Sequence, residues 1–399
     1  MYVERDIKEK FESVSSLYNI VAVVGPRQAG KTTFLKERLK GLNASYVMLD
    51  DPDARGLFDD DIKKFENQYI EGREVAVLDE IQYGKDAGRK LKYLADKGRK
   101  IWITSSSQTV MDKEVLSWLV GRVTLVRLYP FSLGEFLRAK EQKETTPAIV
   151  KRSVWEHLVY GSYPKVVLTE SVEMKQTLLR DLYSTMVFKD IAQTFSIGDI
   201  RSLEEFCRYL SHSIGNVLVY EKAASGMKVS FQTIKKYIDA MEKSYLIVLL
   251  KPFYTNKLKE VVKQPKVYFV DTGLRNAIAN SFPLTFEKEG KLFENYVLGE
   301  ILKLGLNVKY WQTKSGVEVD FVIEKDGGII PVEAKISASP EKIEKNLRSF
   351  IETHRPKLAF VVFYEGVPGE VDINGCRVVF TDVDGFSRRV NNPTTSSLP

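Results

Sequence analysis

The first third of the chain carries four apolar runs, each closed by polar residues. Asn19-Ile20-Val21-Ala22-Val23-Val24 is apolar without alternation, as a strand covered on both faces must be, and it passes directly into Gly25 and a helix-forming stretch from Thr33 to Lys40. Tyr46 to Leu49 ends in Asp50-Asp51, Glu74 to Leu78 ends in Asp79-Glu80, and Lys100 to Ile103 ends in Thr104-Ser105-Ser106-Ser107. From about 135 to 215 the spacing turns helical, for example over Ser171 to Ala192 and Ser202 to Ser213, with the polar stretch Glu141 to Thr146 as an exposed loop. A different cadence follows: a short helix Tyr220 to Ser225, a turn at Gly226-Met227, and a helix Phe231 to Lys243 with Ser230 as its N-cap. Two apolar strand signals, Tyr245 to Leu250 and Val267 to Val270, then bracket a basic stretch. Beyond them come a helix, Lys291 to Leu304, and two strands, Val317 to Ile323 and Ile329 to Ile336.

Chemistry sharpens the first run. Gly25-Pro26-Arg27-Gln28-Ala29-Gly30-Lys31-Thr32 between strand and helix is G-x-x-x-x-G-K-T, the phosphate-binding P-loop. Glycines let backbone N–H groups curl around the phosphates of ATP, Lys31 neutralises the β and γ oxygens, and the Thr32 hydroxyl ligates Mg²⁺; Thr33 completes the cradle. Asp79 at the end of its strand is placed to hold the same Mg²⁺ through water, and Glu80 to act as general base on the attacking water. The strand ending in hydroxyls supplies a sensor of the γ-phosphate, Ser106 first and Ser107 after it. A glutamate directly after the strand-end aspartate, with a polar strand end, points to the division of P-loop proteins that has an additional strand and a catalytic glutamate. Gly121-Arg122, after a helix expected over Val110 to Val120, supplies a candidate arginine for the γ-phosphate, of its own site or of a neighbouring subunit.

Helix, turn, helix and basic hairpin are the plan of a winged helix. In a DNA-binding reading Gln232, Lys235 and Lys236 face the major groove, and the hairpin lysines Lys251, Lys257, Lys259, Lys263 and Lys266 meet phosphates. In the last pair of strands, period-2 spacing puts Glu318 and Asp320 on one face opposite Val317, Val319, Phe321 and Ile323, and Glu333 with Lys335 opposite Ile330, Val332, Ala334 and Ile336. Glu294 stands among core positions of the preceding helix and needs a partner. Glu294, Asp320 and Glu333-Ala334-Lys335 form the PD-(D/E)xK pattern, in which carboxylates hold Mg²⁺ or Mn²⁺ against a scissile phosphate while the lysine activates water. Every ligand type for metal-dependent DNA cleavage is present, yet such a domain can also serve as a binding module with the residues retained.

Taken in series, Gly25 to Thr32, Leu78-Asp79-Glu80, Thr104 to Ser107, Gly121-Arg122 and Tyr129-Pro130-Phe131-Ser132-Leu133-Gly134-Glu135-Phe136-Leu137 resemble a widespread archaeal and bacterial family of AAA+ ATPases. Its members carry a second half of restriction-endonuclease-like fold. The resemblance continues through Gly161-Ser162-Tyr163-Pro164 and Tyr268-Phe269-Val270-Asp271-Thr272-Gly273-Leu274 into the C-terminal motifs, so it covers nearly the whole chain. It departs at Thr104-Ser105-Ser106-Ser107, where relatives usually show Thr-Gly-Ser-Ser, which keeps the hydroxyl but changes the local turn. A helical lid on the nucleotide site is what the resemblance implies for the middle of the chain.

With 399 residues the chain is too long for one core. The fold class expected is α/β: a P-loop core over 1–135, a helical lid over 136–215, a winged helix over 216–275, a smaller restriction-endonuclease-like α/β domain over 285–388 and a disordered tail over 389–399. The hydrophobic share of 44% is that of a soluble globular protein. No apolar run nears the roughly 20 residues that span a bilayer, so no membrane association and a cytoplasmic location are expected. Cys207 and Cys376 are too few for a disulfide framework or a zinc site with the three histidines. A net charge of +6 permits DNA as partner without demanding it. Two readings stand: an ATP-driven DNA-binding protein with a nuclease-like domain, and a nucleotide-dependent switch or scaffold whose nuclease-like domain binds a protein partner. A homo-oligomer follows if Arg122 serves a neighbour. A protein-remodelling ATPase lacks support, because no aromatic pore-loop signature is found.

Overall fold

The computed structural model describes residues 2–106, 116–142, 146–254, 263–285 and 289–391. Ser107, Lys257, Lys259, most of the helix expected over Val110 to Val120, and residues 392–399 of the expected tail lie outside the described residues.

Five strands build the N-terminal sheet: β1 (Ile20–Val24), β2 (Ala44–Met48), β3 (Val75–Asp79), β4 (Ile101–Ser105) and β5 (Val123–Arg127). All pair in parallel, in the order β2-β3-β4-β1-β5. The unbroken apolar runs have a plain cause, since both faces are covered. Ile20, Ala22, Val24, Ala76, Leu78, Ile101 and Ile103 pack into one hydrophobic cluster, and Val21, Val23, Val75, Val77 and Trp102 into another. The consequence is that β4 lies between the strand leading to Gly25 and the strand ending in Asp79.

Past Leu133 the chain is helical through the helices Leu133–Ala139, Pro147–Tyr160, Val172–Thr185 and Ile200–His212. The single α-helix expected over Ser171 to Ala192 instead widens into a π-helix at Met186–Gln193. Asp190 on that wide turn is bound twice from outside: its carbonyl accepts a hydrogen bond from Ser244 Oγ at 2.8 Å, and its carboxylate takes Arg27. The next helices are Tyr220–Met227 and Phe231–Lys243, the first running through the expected turn at Gly226-Met227 and ending where Lys228 adopts φ 55°. Strands β6 (Ile247–Leu250) and β7 (Lys266–Phe269) form an antiparallel pair.

The helix Gly290–Lys303 opens the C-terminal part, followed by β8 (Asn307–Gln312), β9 (Glu318–Lys325), β10 (Gly328–Ala338), the helix Lys345–His354, β11 (Leu358–Gly366), β12 (Gly369–Ile373) and β13 (Cys376–Thr381). These six strands make a mixed sheet in the order β12-β13-β11-β10-β9-β8. Helices cover both of its faces. One hydrophobic cluster runs from Leu133 to Val390 and takes in the helical region, the β6–β7 pair and one face of this sheet. The tail expected from 389 is ordered to Asn391, because Val390 is buried in the last helix, Val383–Asn391.

The expected alternation along β9 does not hold. Lys309 pairs with Val322 but Trp311 with Val319, so Asp320 and Phe321 together face the single residue Tyr310 in a β-bulge. Val319 and Val322 therefore pack on one face, while Phe321 and Ile323 pack on the other. Glu318 and Asp320 still lie together, with carboxylate oxygens within 4.8 Å of each other and of Glu294, and Asp320 is buried.

Candidate functional site

After β1 the backbone turns so tightly at Gly25, with φ 155°, that a Cβ there would overlap the carbonyl oxygen of Leu128. Pro26 and Ala29 are buried under the loop, Gln28 is exposed with φ 59°, and Gly30 leads into the helix Lys31–Arg38. The first N–H groups of that helix lack intrahelical acceptors and carry the positive end of its dipole, which makes the loop a site for an anion. Lys31 is buried and folds back over it, its Nζ donating to the carbonyl oxygens of Gly25 at 2.9 Å and Pro26 at 3.0 Å. Burial lowers the Lys31 pKa, and the nearby Glu80, Asp79 and Asp190 oppose that. Thr33 points to the outside of the helix and is exposed.

Thr32 Oγ1 donates to Asp79 Oδ2 at 2.9 Å and so ties the start of the helix to the end of β3. The hydroxyl of Tyr46 donates to the same oxygen and that of Thr104 to Oδ1. Burial, and then Asp79, push the Tyr46 phenol upward, so it stays a donor. Three neutral hydroxyls hold a buried carboxylate without cancelling its charge. Glu80 follows in the left-handed region, φ 56°, with its N–H on Thr104 Oγ1 at 2.8 Å. That conformation is rare for a residue with a side chain and recurs where a group must be aimed. Ser106 Oγ donates to Glu80 Oε2 at 3.3 Å, and the Gln82 amide donates to both Glu80 and, at 3.2 Å, Ser106.

Two further contacts hold the loop. Arg27 grips Asp190 with Nε on Oδ2 at 2.9 Å and Nη2 on Oδ1 at 2.7 Å, and this pairing with Asp190 keeps its pKa raised. Arg5, buried, donates from Nη1 to the carbonyl of Ala29 at 2.8 Å and pairs through Nε with Glu135 at 3.0 Å. Arg122 is elsewhere. Its carbonyl accepts from Ile20 N at the opposite end of β1, and its side chain pairs with Asp96 at 2.7 Å on the surface. A strand of that length separates it from the loop by roughly 15 Å, so a role on its own nucleotide does not fit.

In the C-terminal part Glu294, Asp320, Glu333 and Lys335 come together from one helix and two strands. The β9–β10 ladder stops at Val332 and Phe321, and Asp320 Oδ2 accepts the next N–H, that of Ala334, at 3.0 Å. Beside Asp320 stand Glu294 and Glu318, with carboxylate oxygens of all three within 4.8 Å of one another. Glu333 also adjoins Asp320; its Oε2 pairs with Lys335 Nζ at 2.8 Å and its Oε1 is buried without a hydrogen-bond partner. Burial and then Asp320 push the Glu333 carboxyl well up, and the same two causes bring Glu294 up to about 7. Burial works against the Lys335 ammonium, but Glu333 and Asp320 hold it above its usual value.

Sequence reasoning missed the rest of this cluster. Lys266, expected as a solvated phosphate contact, is only 1% exposed and pairs with Glu318 and, at 3.8 Å, with Glu294. Tyr268 OH donates to Glu294 Oε1 at 2.6 Å, Lys291 Nζ to Glu294 Oε2 at 2.7 Å, and the Gln312 amide to Glu318 Oε2 at 3.0 Å. The one available signal was a lysine opening the otherwise apolar run Val267 to Phe269. Gln232, Lys235 and Lys236 are exposed on their helix, and Lys236 Nζ reaches the carbonyl of Ser196 at 2.9 Å.

Comparison with known proteins divides the chain in three. Residues 17–137 match the family model described as an AAA domain, residues 151–285 a domain of unknown function, DUF8612, and residues 289–373 another, DUF4143. An uncharacterized protein of Methanocaldococcus jannaschii is 27% identical over 344 residues, covering 80% of this chain and 75% of that protein. One of Mycobacterium tuberculosis is 26% identical over 366 residues, covering 88% and 77%. Among solved structures, a Walker-type ATPase of Pyrococcus abyssi aligns with 69% of this chain and 96% of its own at 13% identity and a TM-score of 0.47. The S. cerevisiae Hsp104–ADP complex aligns with 76% and 43% at 13% identity and a TM-score of 0.31. No helix among the described residues is long and apolar enough to cross a membrane. With a parallel sheet whose fourth strand separates Gly25 from Asp79, and an AAA domain match over the same residues, the N-terminal module is an AAA-type P-loop ATPase domain.

Proposed function

We propose that the chain hydrolyses ATP at the P-loop and uses the nucleotide state to control DNA binding and a metal-dependent phosphodiester site in its C-terminal part. The observation that carries this reading is the Thr32–Asp79 hydrogen bond of 2.9 Å, with Glu80 and Ser106 beside it. Thr32 and Asp79 would hold Mg²⁺, which would neutralise phosphate charge. Lys31 leaves the carbonyls of Gly25 and Pro26 for the β and γ oxygens, Glu80 accepts a proton from the attacking water, and Ser106 senses the γ-phosphate. Arg122, exposed on the far edge of the sheet, acts on the nucleotide of a second copy. Contact between Arg27 and Asp190 joins the loop to the helical lid, so occupancy of the loop is felt there.

For the C-terminal part the oxygen-only donor set suits Mg²⁺ or Mn²⁺, and the orphaned Glu333 Oε1 is what a missing cation would satisfy. Asp320 and Glu333, with Glu294 behind them, would hold such an ion, which would polarise a phosphodiester; Lys335 would orient the attacking water. Exposed Gln232, Lys235 and Lys236 support DNA as the partner through a winged helix. The test is phosphate release and strand scission measured together on duplex, single-stranded and branched DNA, with and without ATP and Mn²⁺. DNA-stimulated turnover with nicking that Asp320→Ala or Glu333→Ala abolishes is the expected result, and nicking retained in both variants overturns the site. A second reading draws on Lys266, which neutralises part of the cluster: the domain then binds a protein partner, with ATP turnover indifferent to DNA and no cleavage in any divalent ion.

A further inference from the structure

Four buried or half-buried carboxylates, Glu294, Glu318, Asp320 and Glu333, meet three ammonium groups, those of Lys266, Lys291 and Lys335. The lysines are unlike one another. Lys291 and Lys335 are partly exposed, with side chains 47% and 33% accessible, and can swing into water. Lys266 cannot. It is 1% exposed, fixed on β7, and lies over the Tyr310 ring at 5.1 Å from its centroid. Its ammonium pairs with two of the three acids whose oxygens stand at metal-binding separation, Glu318 and Glu294. The unsatisfied atom of the cluster belongs to Glu333, which adjoins Asp320 and Lys335 and is not one of those three acids.

We infer that Lys266 determines how many divalent ions this site takes: its ammonium occupies the cation position of the Glu294–Glu318–Asp320 triangle, and one ion is left to bind between Asp320 and Glu333, beside Lys335. The inference rests on the metal-dependent reading of the C-terminal part. Its physical content is electrostatic. A fixed positive charge inside the triangle repels a second divalent ion only a few ångströms away, and desolvation makes that repulsion larger than it would be in water. Removing the ammonium leaves Lys291, which pairs with Glu294 at 2.7 Å and Glu318 at 3.7 Å, as the triangle's remaining counter-charge, and since that side chain can swing into water a divalent ion takes its place. The lysine comes from the strand pair that follows the helix-turn-helix segment, so the count is set from outside the C-terminal sheet.

Mn²⁺ titration of the whole, nucleotide-free protein by calorimetry, with electron paramagnetic resonance of free Mn²⁺ as a second count and wild type and every variant carried in an Asp79→Asn background that removes the P-loop's own ion site, tests this without any cleavage. Wild type takes one ion, Lys266→Met takes two, and Lys266→Met with Glu318→Gln returns to one. If Lys266→Met fails to fold, Glu318→Gln with Lys266 retained decides the matter, since it retains one ion on this account. Loss of the ion in Glu318→Gln, or two ions in wild type, overturns the inference, because the triangle would then be a metal site in spite of Lys266. One ion in both wild type and Lys266→Met overturns the inference alone. No ion in either overturns the metal-dependent reading with it.

Discussion

Asp79 ends β3 and Asp320 stands just past the end of the β9–β10 pairing; both acids are buried, yet their surroundings are of opposite kinds. Around Asp79 the partners are the hydroxyls of Thr32, Tyr46 and Thr104, which orient the carboxylate and leave its charge intact. Around Asp320 the neighbouring acids are met by lysines, one of them fixed and buried. A hydroxyl-held acid is ready for a cation as soon as a nucleotide delivers one. A lysine-held cluster is already largely neutral, so its demand for metal is smaller and depends on where each ammonium sits.

The largest expected difference between the sites is in turnover. Lys31→Ala removes the buried ammonium that folds over the carbonyls of Gly25 and Pro26 and should abolish nucleotide binding, read by fluorescent-nucleotide titration, while Mn²⁺ binding at the C-terminal cluster persists. Asp320→Asn should do the reverse, losing the Mn²⁺ titration signal with ATP turnover within about twofold of wild type. Parallel loss in both variants would mean that the two sites form one unit.

A medium effect is expected where the loop beside Asp79 meets the helical region. Asp190→Asn breaks the bidentate pair with Arg27, in which the side chains are 7% and 22% exposed, and should cost on the order of 2–3 kcal/mol in chemical unfolding. Smaller again is the pH effect at Glu294. Its carboxyl rises from 4.5 to about 7, so the folded state binds the proton more tightly than the unfolded chain. This carboxyl's contribution to stability is full below pH 4.5 and is lost as pH rises through about 7, and Glu294→Gln should flatten that slope in thermal unfolding. Smallest is Arg122→Ala. Its exposed pair with Asp96 is worth about 0.5 kcal/mol or less, so stability should not change, and turnover should fall only at concentrations where copies associate.

How much of each site could be read in the sequence follows from how it is assembled. Gly25 to Thr32 is contiguous, and Asp79-Glu80 and Ser106 close apolar runs that only a doubly covered parallel sheet explains, so strand, loop and acid were legible together. Tyr46 and Thr104 were not legible as partners of Asp79, because a hydroxyl near a strand end carries no motif of its own. The π-turn at Asp190 escaped because periodicity does not distinguish it from an α-helix. In the C-terminal part Glu294, Asp320, Glu333 and Lys335 were legible as a pattern. The faces of β9 were not, since one extra residue in the bulge reverses the parity on which the assignment depends. Lys266 was read the wrong way round: its burial arises from packing between segments far apart in the chain, which no local pattern reports.

Glu80 is the group expected to activate water beside a correctly held nucleotide. Wild type and Glu80→Gln, each incubated with ATP and Mg²⁺, separated from free nucleotide and assayed for what remains bound, give the most direct test. The expected result is stoichiometric ATP on Glu80→Gln with phosphate release slowed roughly 10²–10⁴-fold. Turnover at the wild-type rate, or no nucleotide retained, would contradict it.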